Sequence, residues 1–138
     1  MAGNRRAWAA RKPKIISYRV AVVRPYGPAG DALEVTPVGD PYDDKAQAEL
    51  AATQVEHACV IDLYLDGRSS ADPPGRPAPN QWIMICTAEE WEVPLPTWGC
   101  AARTIDRIAR HQECGYAHRI VTRHARVMDW LRAMSTDG

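Results

Sequence analysis

Apolar positions along this chain switch between two rhythms, every second residue and every third or fourth, and the switches predict its elements. Over 15–24, Ile16, Tyr18, Val20 and Val22 alternate with Ser17, Arg19 and Ala21, the period of a half-buried strand. A turn with Gly27, Pro28 and Gly30 follows, and 32–38 returns as the second arm of a hairpin. Gly39-Asp40-Pro41 breaks the chain, and Asp43 or Asp44 can cap a helix that runs to about residue 56. Ala48, Ala51, Ala52 and Val55 share one face of that helix, small enough to sit close on a sheet, with Leu50 opposite. Over 58–66, Cys59, Ile61, Leu63 and Leu65 alternate with Val60, Asp62 and Tyr64, a third strand.

Residues 67–80 hold four Pro and two Gly and read as a long mobile loop. Beyond it, 81–87 is a nearly continuous apolar strand, as expected of one buried on both faces. Residues 90–93 return beside it until Pro94 and Pro96 close the segment. Thr97 can cap a helix to about residue 113, with Gly115 as its stop. Trp98, Ala101, Ile105, Ile108 and Gln112 share one face of this helix, and Arg103, Arg107 and Arg110 the other. A strand over 116–122 carries Tyr116, His118 and Ile120 on one side. A last helix over 124–134 carries Val127, Trp130, Leu131 and Met134 as its stripe.

Each half of this order reads as ββαβ, with 66–80 as the Pro/Gly-rich loop between them. The expected fold is therefore α+β: a mainly antiparallel sheet built from two ββαβ-like halves, helices packed on one face, and a C-terminal helix. Residues 1–14 stand apart as a basic flexible arm, and 15–138 form a single domain, the size the length favours.

Charge changes this picture more than composition does. The formal net charge is zero, but residues 1–24 carry seven positive charges and no acid, 25–96 three positive and thirteen negative, and 97–138 seven positive and four negative. These three segments thus stand at +7, −10 and +3. The sequence predicts an electrically polar molecule whose patches meet a partner, a second copy in a homodimer, or each other. Arginine outnumbers lysine 14 to 3 and Pro is abundant, the mark of a GC-rich coding sequence such as an actinobacterium or its phage. No apolar run is long enough for a membrane span and no secretory leader is legible, so a cytoplasmic location with reduced cysteines is expected.

Candidate chemistry is sparse. His111, Cys114 and His118, with His124 and Cys100 nearby in the chain, are the weak candidates for a metal. Zinc needs convergent N or S donors, and this spacing matches no standard finger. The plainer reading is a Cys packed at a helix end with His at the rim, so no metal or cofactor is expected. His57 and Cys59 would share a strand face as a nucleophile pair, but alternation places Cys59 in the core. Asp62, Asp66, Glu89, Glu90 and Glu92 form an acidic edge. Lys12, Lys14 and Lys45 are not placed to complete a restriction-type nuclease. There is no phosphate loop and no Gly-x-Ser-x-Gly elbow, and no catalytic residue is assigned.

The interaction signal is basic. Arg5, Arg6, Arg11, Lys12 and Lys14 lie in the arm, with Trp8 as its large apolar residue, and Arg103, Arg107 and Arg110 form a stripe. Arginine suits phosphate and carboxylate geometry. Asp106 can reach only Arg110 at i+4, so the stripe repels itself. The expectation is a small non-enzymatic binding or regulatory protein, of accessory or inhibitor type, acting by protein–protein contact. Any nucleic-acid contact would run through the backbone, since no sequence-reading motif is present. The alternative is a small metal- or Cys-dependent enzyme around His111–His118.

Overall fold

A computed structural model describes residues 14–89, 91–123 and 125–136. In chain order they form β1 (Ile15–Tyr26), β2 (Ala32–Pro37), α1 (Lys45–Thr53), β3 (Ala58–Tyr64), β4 (Trp82–Cys86), β5 (Glu92–Leu95), α2 (Trp98–His111), β6 (His118–Thr122) and α3 (Ala125–Thr136). The fold is α+β: six strands make one antiparallel sheet in the order β3-β1-β2-β6-β4-β5. Both ββαβ units are present. In each, the first strand is central, its hairpin partner lies on one side, and the strand after the helix lies on the other. The units join where β2 pairs with β6 through Leu33↔Thr122 and Glu34↔Val121.

The topology dictates where the helices go. β2 and β3 both run opposite to β1 and are therefore parallel, and β5 and β6 are parallel in the same way about β4. Helices α1 and α2 are thus crossovers between parallel strands, which are right-handed almost without exception. Both crossovers move the same way across the sheet, but the strands they join run in opposite directions, so the same hand puts α1 and α2 on opposite faces. Burial agrees. Trp98, Ala101 and Ala102 of α2 and Val127, Met128 and Leu131 of α3 share one core with Ala21, Leu33, Val35, Ile61, Trp82 and Ile120. Ala48 of α1 and Val20 of β1 are also buried but lie outside that cluster, Val20 pointing away from Ala21. Packing on one face thus describes α2 and α3, while α1 covers β1 and β3 from the other side.

Because both faces of β1 are covered over Arg19–Ala21, its alternation there does not mark a solvent side. Arg19 is 3% exposed, on the core face with Ala21. Its guanidinium donates to both Asp106 carboxylate oxygens at 2.6 Å and to the Gly39 carbonyl at 2.8 Å. This fork-on-fork geometry satisfies a charge that burial alone would expel.

The stretch between the units is tied down by one carboxylate. Asp72, 6% exposed, accepts from Ser69 N and Oγ through Oδ2. Its Oδ1 accepts from Gln81 Nε2, Trp82 Nε1 and the Trp98 backbone N. Trp98 is the first residue of α2, so Asp72 joins the loop, β4 and the α2 N-terminus. Burial raises the Asp72 pKa, and its hydrogen bonds from Trp98, Ser69 and Trp82 offset that in part. Residues 69–72 are buried, so the expected long mobile loop is, over this part, a piece of core.

Ends follow local chemistry. Asp44 caps α1 by accepting from Ala46 N, and Thr97 caps α2 by accepting from Cys100 N. Helix α2 stops earlier than Gly115. Gln112 takes the left-handed conformation at φ 53°, its N–H bonds to Ala109 O, and Glu113 N–H reaches Ile108 O. That is a Schellman closure with glutamine in the glycine position. Pro94 lies inside β5 and does not end it, which an outer strand of the sheet tolerates. Among the described residues no helix is long and apolar enough to cross a membrane.

Candidate functional site

Helix α2 presents the basic stripe. Its core face holds Trp98, Ala101, Ala102 and Ile108, which leaves Arg103, Arg107 and Arg110 exposed along the opposite side. Arg103 points an N–H at Cys100 Sγ, 3.6 Å away. Asp106, expected to reach Arg110, is turned inward and held by Arg19. Among the described residues neither Arg107 nor Arg110 has an ion pair, so the stripe keeps its charge. Arg110 and His111 in the last turn also suit the negative end of the helix. Of the arm residues, Lys14 is exposed. Arg5, Arg6, Trp8, Arg11 and Lys12 lie outside the described residues, as does His124.

A second constellation forms where β4, β6 and the link from α2 meet. Cys86 ends β4 and His118 begins β6, and the two are paired across the ladder, so their side chains rise from the same face. The pairing is held by Thr87, whose N–H and hydroxyl both donate to the Ala117 carbonyl at 3.2 and 3.1 Å. The Cys86 N–H donates to Trp91 O at 3.1 Å. Cys114 lies in the link, with its Sγ 3.9 Å from Cys86 Sγ. Donor atoms of Cys86, Cys114 and His118 all lie within 4.8 Å of one another. The Trp91 ring stands 5.3 Å from the His118 ring, tilted by 45°, and its indole N–H donates to Glu89.

His118 Nε2 is buried with no hydrogen-bond partner among the described residues. Such an atom costs on the order of 1–3 kcal/mol, so its place in a native fold calls for a reason. A backbone hydrogen bond from Tyr116 pulls the Cys114 pKa down, but desolvation, the Cys86 thiol and the Glu89 charge outweigh it and the net shift is upward.

Of the sequence candidates, the structure brings Cys114 and His118 together and leaves His111 out, exposed at the end of α2. Cys100 faces Arg103 instead. Cys86 was missed because it closes an apolar strand and reads as core. Its signal was the register, which only the folded sheet supplies. The His57/Cys59 pair does not form on one strand face: His57 precedes β3 in a left-handed turn at φ 63°, beside Glu56. Burial raises the Cys59 pKa to about 11, which makes it a poor nucleophile. No family model, no curated protein and no solved structure matches this chain.

Proposed function

We propose that this chain is a small non-enzymatic binding or regulatory protein, of the accessory or inhibitor type found in bacteria or their phages, acting by contact with an acidic protein surface. One observation carries the reading. Arg107 and Arg110 lie exposed on a regular helix whose own carboxylate, Asp106, is committed to Arg19. A helix face with fixed, unpaired guanidinium groups suits carboxylates or phosphates. Lys14 and the basic arm add to it, and a nucleic-acid-containing complex would be met through its backbone.

The test is binding of the full-length protein to two defined probes, a polyglutamate peptide and a random-sequence duplex DNA, across a salt series. Replacing Arg103, Arg107 and Arg110 by Ala should weaken binding to the peptide at low salt. On DNA, the log–log salt slope should fall by about 0.9 for each phosphate contact removed. Salt-insensitive binding, or binding untouched by the triple substitution, would overturn the reading.

A second reading is favoured by the convergence of Cys86, Cys114 and His118. It is a metal-dependent enzyme with its centre at the β4–β6 end. The raised thiol pKa values of Cys59 and Cys114 weigh against its cysteine-nucleophile form.

A further inference from the structure

We propose that Cys86, Cys114 and His118 form a zinc site whose fourth position is left to water or to an oxygen ligand. The site is independent of the arginine face and is a premise, not a consequence, of any enzymatic role.

The geometry is that of a tetrahedral edge. Two thiolates about 2.3 Å from one zinc ion stand about 3.8 Å apart. Cys86 and Cys114 Sγ are 3.9 Å apart. A disulfide would need about 2.05 Å and an external oxidant. The His118 imidazole supplies the third donor, within 4.8 Å of both sulfurs, and its Nε2 is buried with no hydrogen-bond partner among the described residues. With the ring proton on Nδ1, that nitrogen would offer its lone pair to a metal.

The donor set selects the ion. Two thiolates and one imidazole suit zinc, whereas calcium and magnesium take oxygen ligands. An iron–sulfur cluster takes four cysteines in its common forms, and Cys59 and Cys100 stand outside this group.

Two of the three donors are fixed before any metal arrives. Cys86 and His118 are cross-strand partners, locked by the Thr87–Ala117 bonds. Cys114 belongs to the link 112–117, which has neither helix nor strand. The metal would tie that link to the sheet. The tilted Trp91 ring shields the His118 side, and its indole bond to Glu89 holds a carboxylate beside the site. On binding, two thiol protons leave to solvent, two Zn–S bonds and one Zn–N bond form, and nothing is oxidised or reduced. Affinity therefore rises with pH.

The test uses the reduced full-length protein and Co(II) as probe, followed by Zn(II). One equivalent of Co(II) should produce a thiolate-to-cobalt charge-transfer band in the near ultraviolet and the intense visible bands of a tetrahedral ion. One equivalent of Zn(II) should remove both. Cys114→Ser should weaken Co(II) binding and reduce the charge-transfer band, whereas Cys100→Ser should leave both unchanged. His118→Gln should weaken Co(II) binding at least roughly tenfold while keeping thiolate character in the spectrum. The wild-type titration needs no variant and decides first. Absence of the charge-transfer band, or a band that survives unchanged in Cys114→Ser, would overturn the proposal.

Discussion

Asp72→Ala removes an acceptor and leaves five donor contacts to be accounted for. The contacts are not equal. Ser69 can turn its hydroxyl, and Gln81 Nε2 is already long at 3.3 Å. Trp82 Nε1 and the Trp98 backbone N belong to residues with no exposed surface, so water does not replace the lost acceptor. Each orphaned buried donor costs about 1–3 kcal/mol, so the substitution should cost about 4 kcal/mol. That is a large share of the roughly 5–15 kcal/mol a domain of this kind holds. Asp72→Asn is the discriminating partner. Its amide oxygen can replace Oδ1 and keep both tryptophans satisfied, while its NH2 meets the Ser69 N–H. The expected loss is about 1–2 kcal/mol. Urea unfolding followed by tryptophan fluorescence measures both variants. If Ala costs under about 1 kcal/mol at unchanged m-value, or Asn costs as much as Ala, the donor argument fails. A pH series adds a sign. Burial raises the folded pKa above the ordinary 3.8, so the fold favours the protonated carboxyl. That contribution is complete below 3.8 and is lost as pH rises through the folded value. The wild type should therefore lose stability relative to Asp72→Asn over that interval.

The Arg19–Asp106 fork and the α2 C-terminus give two further tests. Arg19→Met should cost about 2–4 kcal/mol, less than for a fully buried pair because water reaches the partly exposed Asp106 left behind. Adding Asp106→Leu should recover part of it, and a double-mutant cycle with no coupling would refute the pairing. Gln112→Gly should raise stability by about 0.5–1 kcal/mol by relieving the left-handed backbone, while Gln112→Ala should not. A thermal melt in which the glycine variant is no better than wild type would count against the Schellman closure.

How much of this was legible in the sequence depends on whether a residue's fate was set by its neighbours in the chain. The hairpin at 25–31, the Asp44 and Thr97 caps and the apolar face of α2 are local, and they fall where the pattern puts them. Arg19 was misread because period-two alternation assigns one face to solvent, and around Arg19–Ala21 β1 has neither face free. Residues 69–72 were misread because Pro and Gly mark loops, while Asp72 lies buried among donors from β4 and α2, far along the chain. Cys114 and His118 were legible as a pair four residues apart. Cys86 was not, since 28 residues separate it from Cys114 and the β4–β6 register alone brings them together.

The two ββαβ units share a topology, and setting them side by side sharpens what the three donors mean. In the first unit, the residue of the central strand opposite the start of the returning strand is Val22, and it faces Ala58. In the second, the same register position is filled by Cys86 facing His118. The links into the returning strands differ too: 54–57 in the first unit and 112–117 in the second, where the longer link carries Cys114. All three donors thus lie where the second unit departs from the first. A ββαβ unit of this kind closes with a valine and an alanine in that place, so the fold does not require the cluster. The cluster is particular to the second unit, where His118 Nε2 has no hydrogen-bond partner among the described residues. Two thiols and an imidazole brought together at that position are the donor set that the proposed zinc site requires.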